Sequence, residues 1–139
     1  MKTSKHGDYE TFCRFPVFSN FTVYIVFTGD IQKSYTARYG TRNPPDTDQT
    51  EALMAYSGKN CHAFFQLGNA CSGTIAHEAY HAIRYMFDDF AGARQMDNEV
   101  TAYHLGYLVQ KIVDFKCALI DAEVDCPCGC DLPATDLTR

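Results

Sequence analysis

Five consecutive residues carry the most specific chemistry in the chain: His77-Glu78-Ala79-Tyr80-His81. On a helix, residues i and i+4 lie on one face about one turn apart, so two imidazoles at this spacing can reach a single metal ion. The carboxylate directly after the first histidine projects beside that face. It can take a proton from a water that the metal activates without being a ligand itself. With five His and five Glu in 139 residues, the number of such patterns expected by chance is about 0.006. The competing reading is two histidines on an amphipathic helix beside a solvated glutamate.

A catalytic zinc site needs a third protein ligand and an open fourth position. Downstream the chain reads Asp97-Asn98-Glu99-Val100-Thr101-Ala102-Tyr103-His104. Glu99 falls in the first turn of a second expected helix, 18 positions after His81. Two antiparallel helices joined by a short break can set it opposite the histidines. A carboxylate in a first turn is also a common cap-region residue. The competing third ligands are His104, Asp97, Asp88 and Asp89. His104 lies roughly 140° round the helix from Glu99, so the two do not face one ion. Asp97 is better used as the helix cap.

Tyr103 and Gly106 share the face of Glu99. Tyr103 can stabilise an oxyanion or hydrogen-bond a ligand; its other reading is a tyrosine at the core edge. Gly106 inside a helix costs about 1 kcal/mol against Ala, which close packing of the second helix on the first would offset. Tyr80, inside the motif, reads as a packing residue.

The elements that must position these residues follow from composition and period. Phe21–Phe27 is rich in β-branched and aromatic residues, Thr28-Gly29-Asp30 is turn-like, and Ile31–Tyr39 alternates loosely up to Gly40. This predicts a hairpin. Residues 41–60, with Pro44-Pro45 and Gly58, predict a long loop with a helical turn near Glu51–Tyr56. Cys61–Leu67 predicts a third strand. If it lies at a sheet edge it could pair with an extended peptide, main chain to main chain. His62 on this strand reads as a surface histidine or a site residue. Ser72 is suited to cap a helix running from Thr74 to about Phe87. Asp97 can cap another, from Asn98 to at least Phe115 and as far as Val124. Strands first and helices after argue an α+β class, with a small, mostly antiparallel sheet packed on two main helices. One domain spans 1–124, followed by an irregular, cysteine-rich tail at 125–139.

The chain is 46% apolar and 21% charged, an ordinary globular mixture that excludes wholesale disorder. Formal net charge is −5. It is uneven: residues 1–70 carry seven basic and six acidic side chains (+1), and residues 71–139 carry five and eleven (−6). Neither half offers a basic stripe, so nucleic acid is not an expected partner. The longest apolar run is Val23–Phe27, far too short for a bilayer, and the first twenty residues hold no apolar signal segment. The expectation is therefore a cytoplasmic protein without a membrane partner. Seven cysteines cannot all pair internally. Cys13, Cys61, Cys71 and Cys117 read as small buried apolar residues. Cys126, Cys128 and Cys130 form a C-x-C-x-C cluster, tighter than the usual spacing for structural zinc.

The combination of His77-Glu78-x-x-His81 with Asn98-Glu99-x-x-Ala102 resembles the gluzincin metallopeptidases. More narrowly, residues 73–82 followed by 97–108 look like small zinc metallopeptidases encoded by phages and prophages. The resemblance covers about residues 60–112. It implies a minimal zincin-like core, one zinc ion on His77, His81 and Glu99, Glu78 as general base, and residence in the host cell cytoplasm. Thermolysin-like gluzincins carry an Asp four residues after the glutamate ligand; here that position is Tyr103. The expected function is a zinc-dependent metallopeptidase acting on a peptide or protein substrate. The alternative is a metal-binding regulatory or protein-interaction module on the same scaffold, with little or no turnover.

Overall fold

The computed structural model describes residues 8–15, 20–41, 51–68, 70–90 and 98–121. In chain order the elements are β1 (Tyr9–Arg14), β2 (Thr22–Thr28), α1 (Ile31–Tyr39), β3 (Ala52–Ser57), β4 (Asn60–Gln66), α2 (Ser72–Tyr85), a π-helical turn (Met86–Phe90) and α3 (Asn98–Asp121). The four strands form one mixed sheet in the order β1-β2-β4-β3. β1 and β2 pair antiparallel, β2 and β4 parallel, and β3 and β4 antiparallel. The class is α+β, as expected. No helix among the described residues is long and apolar enough to cross a membrane.

Strand alternation gives the sheet two faces. One face carries Cys13, Val23, Ile25, Phe27, Cys61, Ala63 and Phe65, all buried in a single core with Ile75, Ala79, Ala82 and Ile83 of α2 and Leu108, Ile112 and Leu119 of α3. Phe27 and Phe65 stack at 5.3 Å, and Phe115 of α3 meets Phe27 edge-on at 5.8 Å. Each aromatic side chain buried this way contributes about 1.5–3 kcal/mol. The other face carries Val26, Ala55 and Phe64, covered by Ile31, Tyr35 and Tyr39 of α1.

Two expectations need correction, and one open alternative is decided. The hairpin runs between β1 and β2, not between Phe21–Phe27 and Ile31–Tyr39, which is helical. Its cap signals outweigh its strand-like composition. Asp30 Oδ1 accepts from Lys33 N at 3.1 Å, and Gly40, at φ +84°, closes the helix with its N–H on Thr36 O at 2.9 Å. Ile31, Tyr35 and Tyr39 then fall on one helical row, four apart. The segment near Glu51–Tyr56 is the strand β3, not a helical turn. Ser57 pairs with Asn60 across the two-residue turn Gly58-Lys59, and Gly58 takes φ +59°, the left-handed conformation that such turns require. Finally, the strand before α2 lies inside the sheet; the edges are β1 and β3.

Smaller differences follow. Cys71, not Ser72, occupies the N-cap of α2; its carbonyl accepts the first helical bond, from Ile75 N at 2.9 Å, and its side chain makes no capping bond. α3 ends at Asp121, within the expected range. Cys13 and Cys61 are buried, Cys71 is half-buried, and Cys117 is exposed rather than buried. Asp97, Pro44-Pro45 and the cluster of Cys126, Cys128 and Cys130 lie outside the described residues.

α1 is fastened by polar groups as well as by packing. Arg38 is almost wholly buried. Its Nη1 donates to Asp8 Oδ2 at 2.9 Å and to Ser34 Oγ at 2.6 Å, and its Nη2 donates to Glu10 Oε1 at 2.9 Å. The guanidinium also lies over the Phe64 ring at 5.7 Å. A buried cation with this many partners is tolerated; stripping one partner away costs about 3–5 kcal/mol. Beside it, Tyr39 Oη meets His62 Nδ1 at 2.6 Å, and His62 stacks on Tyr24 at 4.7 Å.

Burial, and then the charge of Arg38, push the His62 imidazole down to about 4. An unfolded histidine takes its proton near 6.5. Between these values the unfolded chain binds the extra proton, so stability is full above about 6.5 and falls as pH drops toward 4. Denaturant unfolding from pH 7 to pH 4 is expected to show this loss. In His62→Gln the slope above pH 4.5 should flatten; an unchanged slope would assign the effect to other groups.

Candidate metal centre

α2 must satisfy two neighbours at once. Ile75, Glu78, Ala79, Ala82 and Ile83 are its buried residues, a stripe at helical spacing turned to the sheet. A second row sits beside this stripe. Thr74, Glu78, His81 and Tyr85 follow one another at intervals of four, three and four, so they share one flank of the helix.

Both ends of that flank are tied to β3. Thr74 Oγ1 donates to Glu51 Oε2 at 3.3 Å, beside the start of the strand. Tyr85 Oη donates to Gly58 O at 2.8 Å, just past its end, and the Tyr85 ring stacks on Tyr56 at 4.3 Å. α2 therefore runs alongside the edge strand in the same sense, with the histidine motif between the two ties.

The structure brings three of the five expected site residues together. His77 and His81 are exposed, and their Nε2 atoms lie 3.1 Å apart, with the rings perpendicular at 4.7 Å between centroids. Two nitrogens bound to one tetrahedral zinc, each at 2.0–2.1 Å, stand about 3.4 Å apart. The pair therefore fits two positions of one ion. Glu78 lies one residue on and is 8% exposed. Burial pushes its carboxyl up, and the neighbouring His77 and His81 offset part of that shift.

The other two expected residues are elsewhere. The inward row of α3 is His104, Leu108, Ile112, Lys116 and Leu119. Glu99 and Tyr103 fall on the opposite side, and Tyr103 is 67% exposed. Among the described residues, no group of three or more His, Cys, Asp or Glu is placed to hold a metal. In this arrangement Glu99 is exposed and forms no three-ligand group with the histidines.

The remaining candidates have structural surroundings. His104 is buried between Phe15 and Phe87, with ring centroids at 5.5 and 5.4 Å, and its Nδ1 contacts Val100 O at 2.8 Å. Asp88 pairs with Arg84 at 2.5 Å, one helical turn away. His62 belongs to the α1 face of the sheet, where the core face does not reach it. Tyr80 is half-exposed rather than packed. Gly106 is exposed, and a Cβ there would meet nothing within 4 Å, so close helix packing does not account for it.

Sequence reasoning missed the flank that fastens α2 to β3. Its signal was present: Thr74 and Tyr85 extend the spacing of Glu78 and His81 by one turn in each direction. The position of β3 was the missing half, since that segment did not read as a strand. Compared with protein-family models, curated proteins and solved structures, the chain matches none.

A glutamate whose native carboxyl is held above its unfolded value makes the native state bind more protons. Its ionisation therefore weakens the fold as pH rises past the usual carboxylate range. Glu78→Gln, which removes the charge and keeps the shape, is expected to have a Tm at pH 7 equal to or above that of the parent. A clear drop would show that the ionised carboxylate supports the fold.

Proposed function

We propose that the chain is a zinc-dependent peptidase in which Nε2 of His77 and Nε2 of His81 hold the ion and Glu78 moves the proton. The observation that carries this reading is the convergence of the two imidazoles, 3.1 Å apart at Nε2, with the buried Glu78 beside them. The third donor that the resemblance to gluzincins implies is Glu99, which would have to turn toward the histidines from the exposed side of α3. When bound, the ion supplies Lewis acidity, polarising a carbonyl and acidifying water.

The chain's own residues supply the rest. Glu78 accepts a proton from the attacking water on a carboxylate oxygen and then passes it to the leaving amine nitrogen. Its burial suits this, because a raised carboxyl pKa brings the group nearer to the operating pH. Both imidazoles must be neutral to act as donors, so metal binding weakens in acid. β3, at the edge of the described sheet, offers main-chain groups to an extended peptide lying beside α2. Tyr103, exposed on the same side of α3 as Glu99, would donate to the developing oxyanion only with that side of α3 turned toward the histidines.

The test is hydrolysis of a mixed peptide pool, followed by mass spectrometry, with zinc-loaded protein, chelator-treated protein, and Glu78→Gln. Cleavage by the parent, restored by zinc after chelation and reduced by roughly a hundredfold or more in Glu78→Gln, is the expected outcome. Glu99→Ala should weaken zinc affinity by at least tenfold, and Tyr103→Phe should lower kcat with zinc retained. Equal cleavage by Glu78→Gln would overturn its role as base. Zinc binding through His77 and His81 without any cleavage would leave the site as a metal-binding module.

A further inference from the structure

The row that carries Glu78 and His81 does not end at His81. Four residues on, Tyr85 continues the same flank of α2, and its ring stacks on Tyr56 of β3 at 4.3 Å. Phe21 backs this pair, with its ring 5.9 Å from Tyr85. Tyr56 is 41% exposed at the edge strand. Its register partner Cys61 belongs to the core face of the sheet, so Tyr56 stands on the α2 side of β3, where the histidines are.

Resting on the peptidase reading, we propose that Tyr56 and Tyr85 form a side-chain subsite that selects an aromatic or bulky apolar residue in an extended peptide lying along β3. The spacing is suitable. One helical turn from His81 to Tyr85 advances about 6 Å, and an extended peptide advances about 3.3 Å per residue. The selected side chain is therefore about two residues from the bond held at the histidines, and in a strand that residue points to the same face as the one at the cleavage point. A ring stacking on Tyr56 would extend the existing stack of two and shield its exposed surface. Tyr85 is held for this task by its hydrogen bond to Gly58 O, and Gly58 is the turn that fixes the end of β3.

The experiment uses the full chain carrying Glu78→Gln, so that bound peptide is not consumed. Its zinc content is measured with and without His77→Ala. Binding is read by saturation-transfer NMR with blocked hexapeptides of alanine and serine, each carrying one phenylalanine or none. The expected result is that the phenylalanine ring protons receive the strongest transfer and that peptides without the ring bind several-fold more weakly. Tyr56→Ala should lose this preference by about three- to tenfold, with zinc content unchanged, and Tyr56→Phe should restore it. Zinc held through His77 together with equal binding of all peptides, or an undiminished preference in Tyr56→Ala, overturns the subsite alone. Absence of zinc binding that depends on His77 overturns the peptidase reading, and the subsite with it.

Discussion

The arrangement depends on how close α2 lies to the sheet. Ala79 and Ala82 are fully buried in the core that α2 shares with the sheet and α3, and neither projects a side chain beyond a methyl group. That closeness lets Thr74 and Tyr85 reach the two ends of β3. The same register that buries Ile75 and Ile83 leaves His77 and His81 exposed and puts Glu78 on the boundary between core and solvent. Turning the helix by one residue, about 100°, would disrupt both rows. Packing and chemistry are thus set by one angle, and bulk at position 79 or 82 would disturb both.

The opposite face of the sheet has no part in the site, yet it holds the central strands that the site needs. β4 takes α2 and α3 against Cys61, Ala63 and Phe65 and takes α1 against Phe64. The buried Arg38, with Asp8 and Glu10 as partners, joins α1 to β1 across that face. Such a charged network favours one seating of the helix, because any slip would leave a buried guanidinium without its carboxylates.

Legibility in the sequence followed the locality of the signal. α2 and α3 were readable because helical period and composition agree over many residues, and the histidine spacing is itself a statement about one face of a helix. The core-facing β2 and β4 were readable from their β-branched and aromatic content. α1 was misread because Ile31–Tyr39 is strand-like in composition, and its helical state is decided by Asp30 and Gly40 at its two ends. β3 was misread because Ala, Leu and Met favour helices, and only the Gly58-Lys59 turn and the partner β4 make the segment extended. The side of α3 that faces inward was also not local information. Packing selects His104, Leu108 and Ile112, and this turns Glu99 and Tyr103 outward.

The central claim is that His77 and His81 act as one metal site. It is tested most directly by following the histidine ring nitrogens by NMR while zinc is added to the protein. The account predicts that the signals of His77 and His81 change together and saturate at one equivalent of zinc, while those of His62 and His104 stay in place. Changes confined to other histidines, or no change at either residue of the pair, would contradict it.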